Sequence, residues 1–300
     1  MAWTPRARRH QEQREALAGA TARAVLAEWA KVRPDDVARD WGRLLPQVTA
    51  MVQRGQLHAA EGTHTFMREL LGADVGPEID PEQFASQTPD GRDLMGLLAR
   101  SAPTAIDAQR RGFSPRAAMA RAAAFLDMAV RTVIGDTGRQ ADQVAMVVNK
   151  KVVAYVRVVE LPACSRCIIL AGREYGVSNG FLRHPRCDCT MEPVTRKHRP
   201  MPLDPEDLFE SMSAEQRRKV FGEAGTKAIQ DGSRISSVVN ARKSMDKVEM
   251  FGKQVQVTYV GTGARKNKRP PRLMPEEIYR LAGDDRNHAI RLLYKNGYLR

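Results

Sequence analysis

A chain of 300 residues, 42 % hydrophobic and 28 % charged, has room for two or three domains with a sizeable core. These are ordinary values for a soluble globular protein, and no run approaches the roughly 18 uncharged apolar residues of a membrane-spanning helix. The net charge of +13 is uneven: residues 1–150 carry 20 Lys+Arg against 18 Asp+Glu, residues 151–300 carry 28 against 17, so the C-terminal half supplies most of the field that attracts a polyanion.

Alanine is frequent and aromatic residues are scarce, which favours helices. The first stretch, "MAWTPRARRHQEQREALAGA", is charged and lacks the apolar segment of a secretory signal. A protein kept in a cytoplasm, with reduced thiols, is expected. Val25, Trp29 and Val32 recur at helical spacing, and Pro34 suits the first turn of a new helix. Val37, Trp41, Leu44, Val48 and Met51 then form one apolar face. Gly55 separates that face from a second stripe of Leu57, Ala60, His64, Met67 and Leu71, on which His64 reads as a core histidine.

Residues 72–93 are rich in Gly, Pro and Asp and read as a loop. Helical patterning resumes over Leu94–Arg111. Ser114 and Pro115 look like an N-cap followed by a first-turn proline. Ala118, Ala122, Phe125 and Ala129 are expected as the buried stripe of that helix, and their small size implies close helix approach. Gly135 and Gly138 allow a break before "QADQVAMVVNKK".

The texture changes at Lys151. "VVAYVRVVE", "IILAGREY" and "CDCTMEPV" read as three short strands bracketing all four cysteines. After a basic, proline-rich connector, Ser213 and Gln216 form a capping-box signature opening "AEQRRKVFGEAGTKAIQDG". A short helix over "ISSVVNARKSM", a strand over "KQVQVTYV" and two final helices, Pro275–Ala282 and Asp284–Lys295, complete the pattern. The expected fold is mainly α with a small zinc-stapled β unit, an α+β class. Residues 1–150 would be a helical bundle region, 151–195 the Cys/His β unit, and 196–300 a basic region of short helices and extended segments.

The cysteines are spaced Cys-x2-Cys, 19 residues, Cys-x-Cys: Cys164, Cys167, Cys187 and Cys189, with His184 three residues before Cys187. A Cys-x2-Cys knuckle places two thiolates on one ion, and cysteines at i and i+2 of an extended strand share a face. Four of these five side chains would hold zinc tetrahedrally, and thiolate softness selects zinc over magnesium or calcium. His184 is either a ligand or a supporting group behind one. A catalytic zinc keeps an open position for water, so a full set of protein ligands points to a structural ion. Arg265, Lys266, Lys268, Arg269 and Arg272 form the candidate polyanion-facing run.

"ACSRC", "LAGREY", "GFLRHPRCDC" and "EPV" resemble the signature of MuF-like minor capsid, or head morphogenesis, proteins of tailed phages. The likeness continues through "GEAGTKAIQDGSRISSVVNARKSM" and "RLMPEEIYRLAGDDRNHAIRLLYKNGYL", in the form typical of actinobacteriophages, and covers about Val152 to Leu299. The resemblance implies a non-enzymatic, low-copy head constituent. Its partners would be the portal protein, the major capsid protein and packaged double-stranded DNA, with no membrane and no small-molecule substrate. It would reside in the host cytoplasm during assembly and then inside the virion head. Two other readings compete. A zinc-stapled nuclease needs a second metal held by His and carboxylates, and His10, His58, His64, His198 and His288 are scattered. A maturation protease needs a Ser/His/acid set, and no G-x-S-x-G elbow is present.

Overall fold

A computed structural model describes residues 5–180, 184–185, 189–201, 203–250, 252–260 and 271–299. It is mainly helical with two small antiparallel sheets. Two compact units make up the chain: Met1–Glu160 with Gly172–Pro202, and Leu161–Ala171 with Leu203–Arg300.

The first unit is built on α1 (Pro5–Trp29), α2 (Val37–Leu71), α3 (Leu94–Ala99), α4 (Ser101–Arg110) and α5 (Pro115–Val148). Val25, Trp29, Trp41, Val48, Val52, Leu98, Ala122, Leu126 and Ile134 belong to one continuous core shared by these helices. Trp29 and Trp41 meet edge to face, with ring centroids 5.0 Å apart. Their buried indole N–H groups donate to the carbonyls of Met119 (3.2 Å) and Leu98 (3.1 Å), so the two rings add apolar area without an orphaned donor. Ser114 caps α5 through its Oγ, which accepts from Ala117 N–H at 3.3 Å.

Several breaks expected from the sequence are absent. Pro34 lies in the turn before α2, which starts at Val37 with Asp36 as its N-cap. Gly55 does not divide α2, and Gly135 and Gly138 do not interrupt α5. These glycines serve packing. A Cβ at Gly55 would lie 2.8 Å from both Ile134 Cδ1 and Thr21 Oγ1, so α2 approaches its neighbours over bare backbone. On α5 the buried stripe runs through Leu126, while Phe125 is only half-buried. His64 is half-buried rather than in the core, its Nε2 4.0 Å from Glu78. Gly55→Ala should therefore destabilise the bundle by about 1–3 kcal/mol through overpacking. Gly42→Ala, on an exposed face of the same helix with nothing within 4 Å, should stabilise it by up to about 1 kcal/mol. Urea unfolding of the two variants checks both signs.

A three-stranded sheet of order β2-β1-β3 completes this unit: β1 (Ala154–Val158), β2 (Glu174–Gly176) and β3 (Thr190–Val194). β1 and β3 pair antiparallel from Ala154↔Val194 to Val158↔Thr190, and every residue of both strands is buried. β3 lies against α1 and α5. The expected strand over "IILAGREY" is shorter than its sequence suggests. Ser165–Ile168 instead forms a single helical turn, α6, and only the end of the stretch enters β2.

The second unit contains α7 (Pro205–Ser211), α8 (Ala214–Phe221), α9 (Glu223–Gln230), α10 (Ile235–Ala241), α11 (Pro275–Ala282) and α12 (Arg286–Lys295). Its sheet has the order β4-β5-β6: Met245–Met250, Lys253–Thr258 and Arg272–Leu273. Ser213 and Gln216 form the capping box of α8 reciprocally. Gly222, at φ +74°, divides α8 from α9 where a single helix could be read. β4 is a strand the sequence pattern did not mark. Its pairing with β5, including Val248 opposite Val255, fixes it. Ala228, Val238, Ala241, Met274, Ile278, Leu293 and Tyr298 form the core, and Tyr298 Oη donates to the Leu273 carbonyl at 3.0 Å.

Candidate metal centre

Cys164 is the N-cap residue of α6, and Cys167 lies within that turn. Cys167 and Ile168 both donate their N–H to the Cys164 carbonyl, at 3.0 and 3.1 Å. One helical turn carries residues i and i+3 to the same side, which is how the Cys-x2-Cys spacing brings two sulfurs together. One ligand atom of Cys164 lies within 4.8 Å of one of Cys167. Ligands on a tetrahedral zinc sit about 3.8 Å apart, given Zn–S of about 2.3 Å, so small side-chain adjustments close this pair. His184 Nδ1–H donates to the Pro185 carbonyl at 2.9 Å. Because a carbonyl only accepts, that bond places the proton on Nδ1 and makes Nε2 the nitrogen able to ligate a metal. Cys164 and Cys167 of the second unit and His184 of the first are each of a type that can hold a metal ion.

Of the remaining predicted ligands, Cys187 lies outside the described residues. Cys189 lies in the first unit. It is buried at the start of β3, where Arg157 donates to its Sγ at 3.5 Å and Arg139 Nε donates to its carbonyl at 2.6 Å. Arg265, Lys266, Lys268 and Arg269 also fall outside the described residues. Arg272 is turned inward. Its guanidinium donates to the carbonyls of Asn296 and Val260 and lies 4.3 Å from the Tyr298 ring centroid, an arrangement that fastens β6 to α12.

A second constellation carried no recognisable motif. Asp142, fully buried on α5, accepts from His10 Nε2 at 3.1 Å, Arg14 at 2.8 Å and Thr63 Oγ1 at 2.8 Å. Arg14 also donates to Thr190 Oγ1 at 2.6 Å, so α1, α2, α5 and β3 meet at one ionic node. Burial by itself raises the Asp142 pKa, but the His10 and Arg14 charges outweigh it and hold the group at about 2. Gly138 makes the node possible, because a Cβ there would lie 2.7 Å from Arg14 Cδ. Arg14 and Arg139 thus tie the bundle to the Thr190 hydroxyl and the Cys189 carbonyl at the start of β3. The only sequence trace of this node is His10 and Arg14 spaced one turn apart, and a sequence does not reveal a partner 128 residues further on.

Among the described residues no helix is long and apolar enough to cross a membrane. Neither a curated protein nor a solved structure matches the chain significantly. A family model described as "VG15 protein" matches residues 1–215, spanning the bundle, the sheet and the cysteine segment. The chain belongs to this family of phage proteins.

Proposed function

We propose that the protein is a structural minor head component of a tailed phage, acting in head morphogenesis rather than as an enzyme. The observation that carries this reading is the cysteine segment, whose motif resembles MuF-like head proteins, within a chain of a phage protein family. Zinc would occupy the Cys164/Cys167/His184 group, with a fourth ligand from the same segment, and would brace the loop that links the strands of the first sheet. Its role would be structural, because thiolate and imidazole ligands that fill a tetrahedron leave no position for a reacting water. A nuclease would require a second cluster of His and carboxylates. Three of the described histidines each meet a single carboxylate: His10 with Asp142, His58 with Glu61, His198 with Glu192. The basic charge, concentrated in residues 151–300, suits packaged DNA or acidic surfaces of the portal and shell.

The test is to locate the protein by mass spectrometry in purified virions and procapsids of the encoding phage. A few copies per particle, co-purifying with the portal, is the expected result. Absence from both particles, or Mg²⁺-dependent plasmid cleavage by the purified protein, would overturn the proposal.

A further inference from the structure

Asp142 holds the His10 ring by Nε2 alone. Among the described residues Nδ1 forms no hydrogen bond, although the side chain is only 7 % exposed. The ring is also stacked on Phe66, with centroids 4.1 Å apart and planes 3° from parallel, so one of its faces is covered. His10 also lines a cavity of about 180 Å³ between α1 and α2. Gly62, also on the cavity wall, places no side chain over His10 Cε1.

The cavity wall is cationic. Arg6 and Arg9 come from the first turns of α1, where the helix dipole favours an anion. Thr65 contributes a hydroxyl from α2, and Glu69 is the single acid. Arg9 lies 3.5 Å from the Glu69 carboxylate, while Arg6 donates to the Glu69 backbone carbonyl. One carboxylate therefore opposes two guanidinium groups and a histidine whose far nitrogen already faces a buried carboxylate. A cation-lined pocket with an unused, rigidly oriented ring nitrogen is built to receive an acceptor-rich anion.

We propose that this cavity binds a phosphate oxyanion. Arg6, Arg9 and the Thr65 hydroxyl would donate to its oxygens, and His10 Nδ1 would form a hydrogen bond with the anion while Nε2 stays on Asp142. The phosphate is either a free ion or a phosphodiester of a nucleic-acid backbone, and the two share this chemistry. The site is independent of the metal centre and of the head-protein proposal.

The test uses the full-length protein. Calorimetric titration with inorganic phosphate, at ionic strength matched by chloride, is compared for wild type, Arg9→Gln and His10→Gln. Arg9 is exposed, so its variant should fold normally even if His10→Gln disturbs the ionic node. Wild type is expected to bind phosphate, and Arg9→Gln to bind it about tenfold or more weakly, the usual effect of losing a charge-assisted hydrogen bond. A short DNA duplex separates the sources: competition with phosphate, and weakened duplex binding in Arg9→Gln, identifies the phosphodiester, while no competition identifies the free ion. No phosphate binding beyond the chloride control, or equal binding by wild type and Arg9→Gln, would overturn the assignment.

Discussion

Replacing Asp142 by asparagine is expected to lower the stability of the first unit by about 3–5 kcal/mol, the usual cost of removing one partner from a buried ion pair. Arg14 is 4 % exposed and its Nε already lacks a partner, so its charge depends on the Asp142 carboxylate. Burial pushes the Arg14 pKa down, and Asp142 is the group that most opposes this. The substitution also leaves His10 and Thr63 with a weaker acceptor. Urea unfolding near neutral pH gives the magnitude, and its pH dependence gives the cause. Asp142 is depressed to about 2 from an unfolded value of 3.8, so its contribution is full above pH 4 and disappears as pH falls through about 2. Wild type should lose stability across that interval, and Asp142→Asn should lack this component of the loss. A change below about 1 kcal/mol at neutral pH would show that the node is not a principal support of the bundle.

Metal removal is expected to have the second large effect. Protein prepared with zinc should hold one equivalent per chain by elemental analysis, and chelation should lower Tm by about 10 °C or more, because structural zinc contributes directly to folding free energy. Cys164→Ser and Cys167→Ser should lose the metal and melt at the lowered temperature without chelator. Cys189→Ser should retain it, since the Cys189 sulfur accepts a hydrogen bond from Arg157. Loss of zinc from Cys189→Ser with retention in Cys164→Ser would contradict this assignment.

Much of the local architecture is legible in the sequence because it is set by short-range chemistry. The Ser114–Pro115 start of α5, the Ser213/Gln216 box of α8 and the stop of α11 at Gly283 each rest on a residue satisfying backbone groups a few positions away. The strands β1, β3 and β5 follow from β-branched composition, and the pairing of Cys164 with Cys167 follows from their spacing along one turn.

The departures share a different origin. Glycine is an ambiguous signal, because its lack of a side chain permits both a break and a close contact. Gly55, Gly135 and Gly138 read as interruptions, yet they stand inside continuous helices where Ile134, Thr21, Arg139 and Arg14 occupy the space a Cβ would need. β4 emerges only with a partner strand, and Arg272, one of five basic residues in a run, becomes structural only where Tyr298 and Asn296 meet it. The sequence by itself determined a clustered Cys/His segment, a helical N-terminal half and a basic C-terminal half. Only the tertiary structure decided that His10, Arg14 and Asp142 form one buried node. The reason is physical: periodicity and capping act within a few residues, whereas the pairing of buried charges is chosen by which helix faces the packed core brings together.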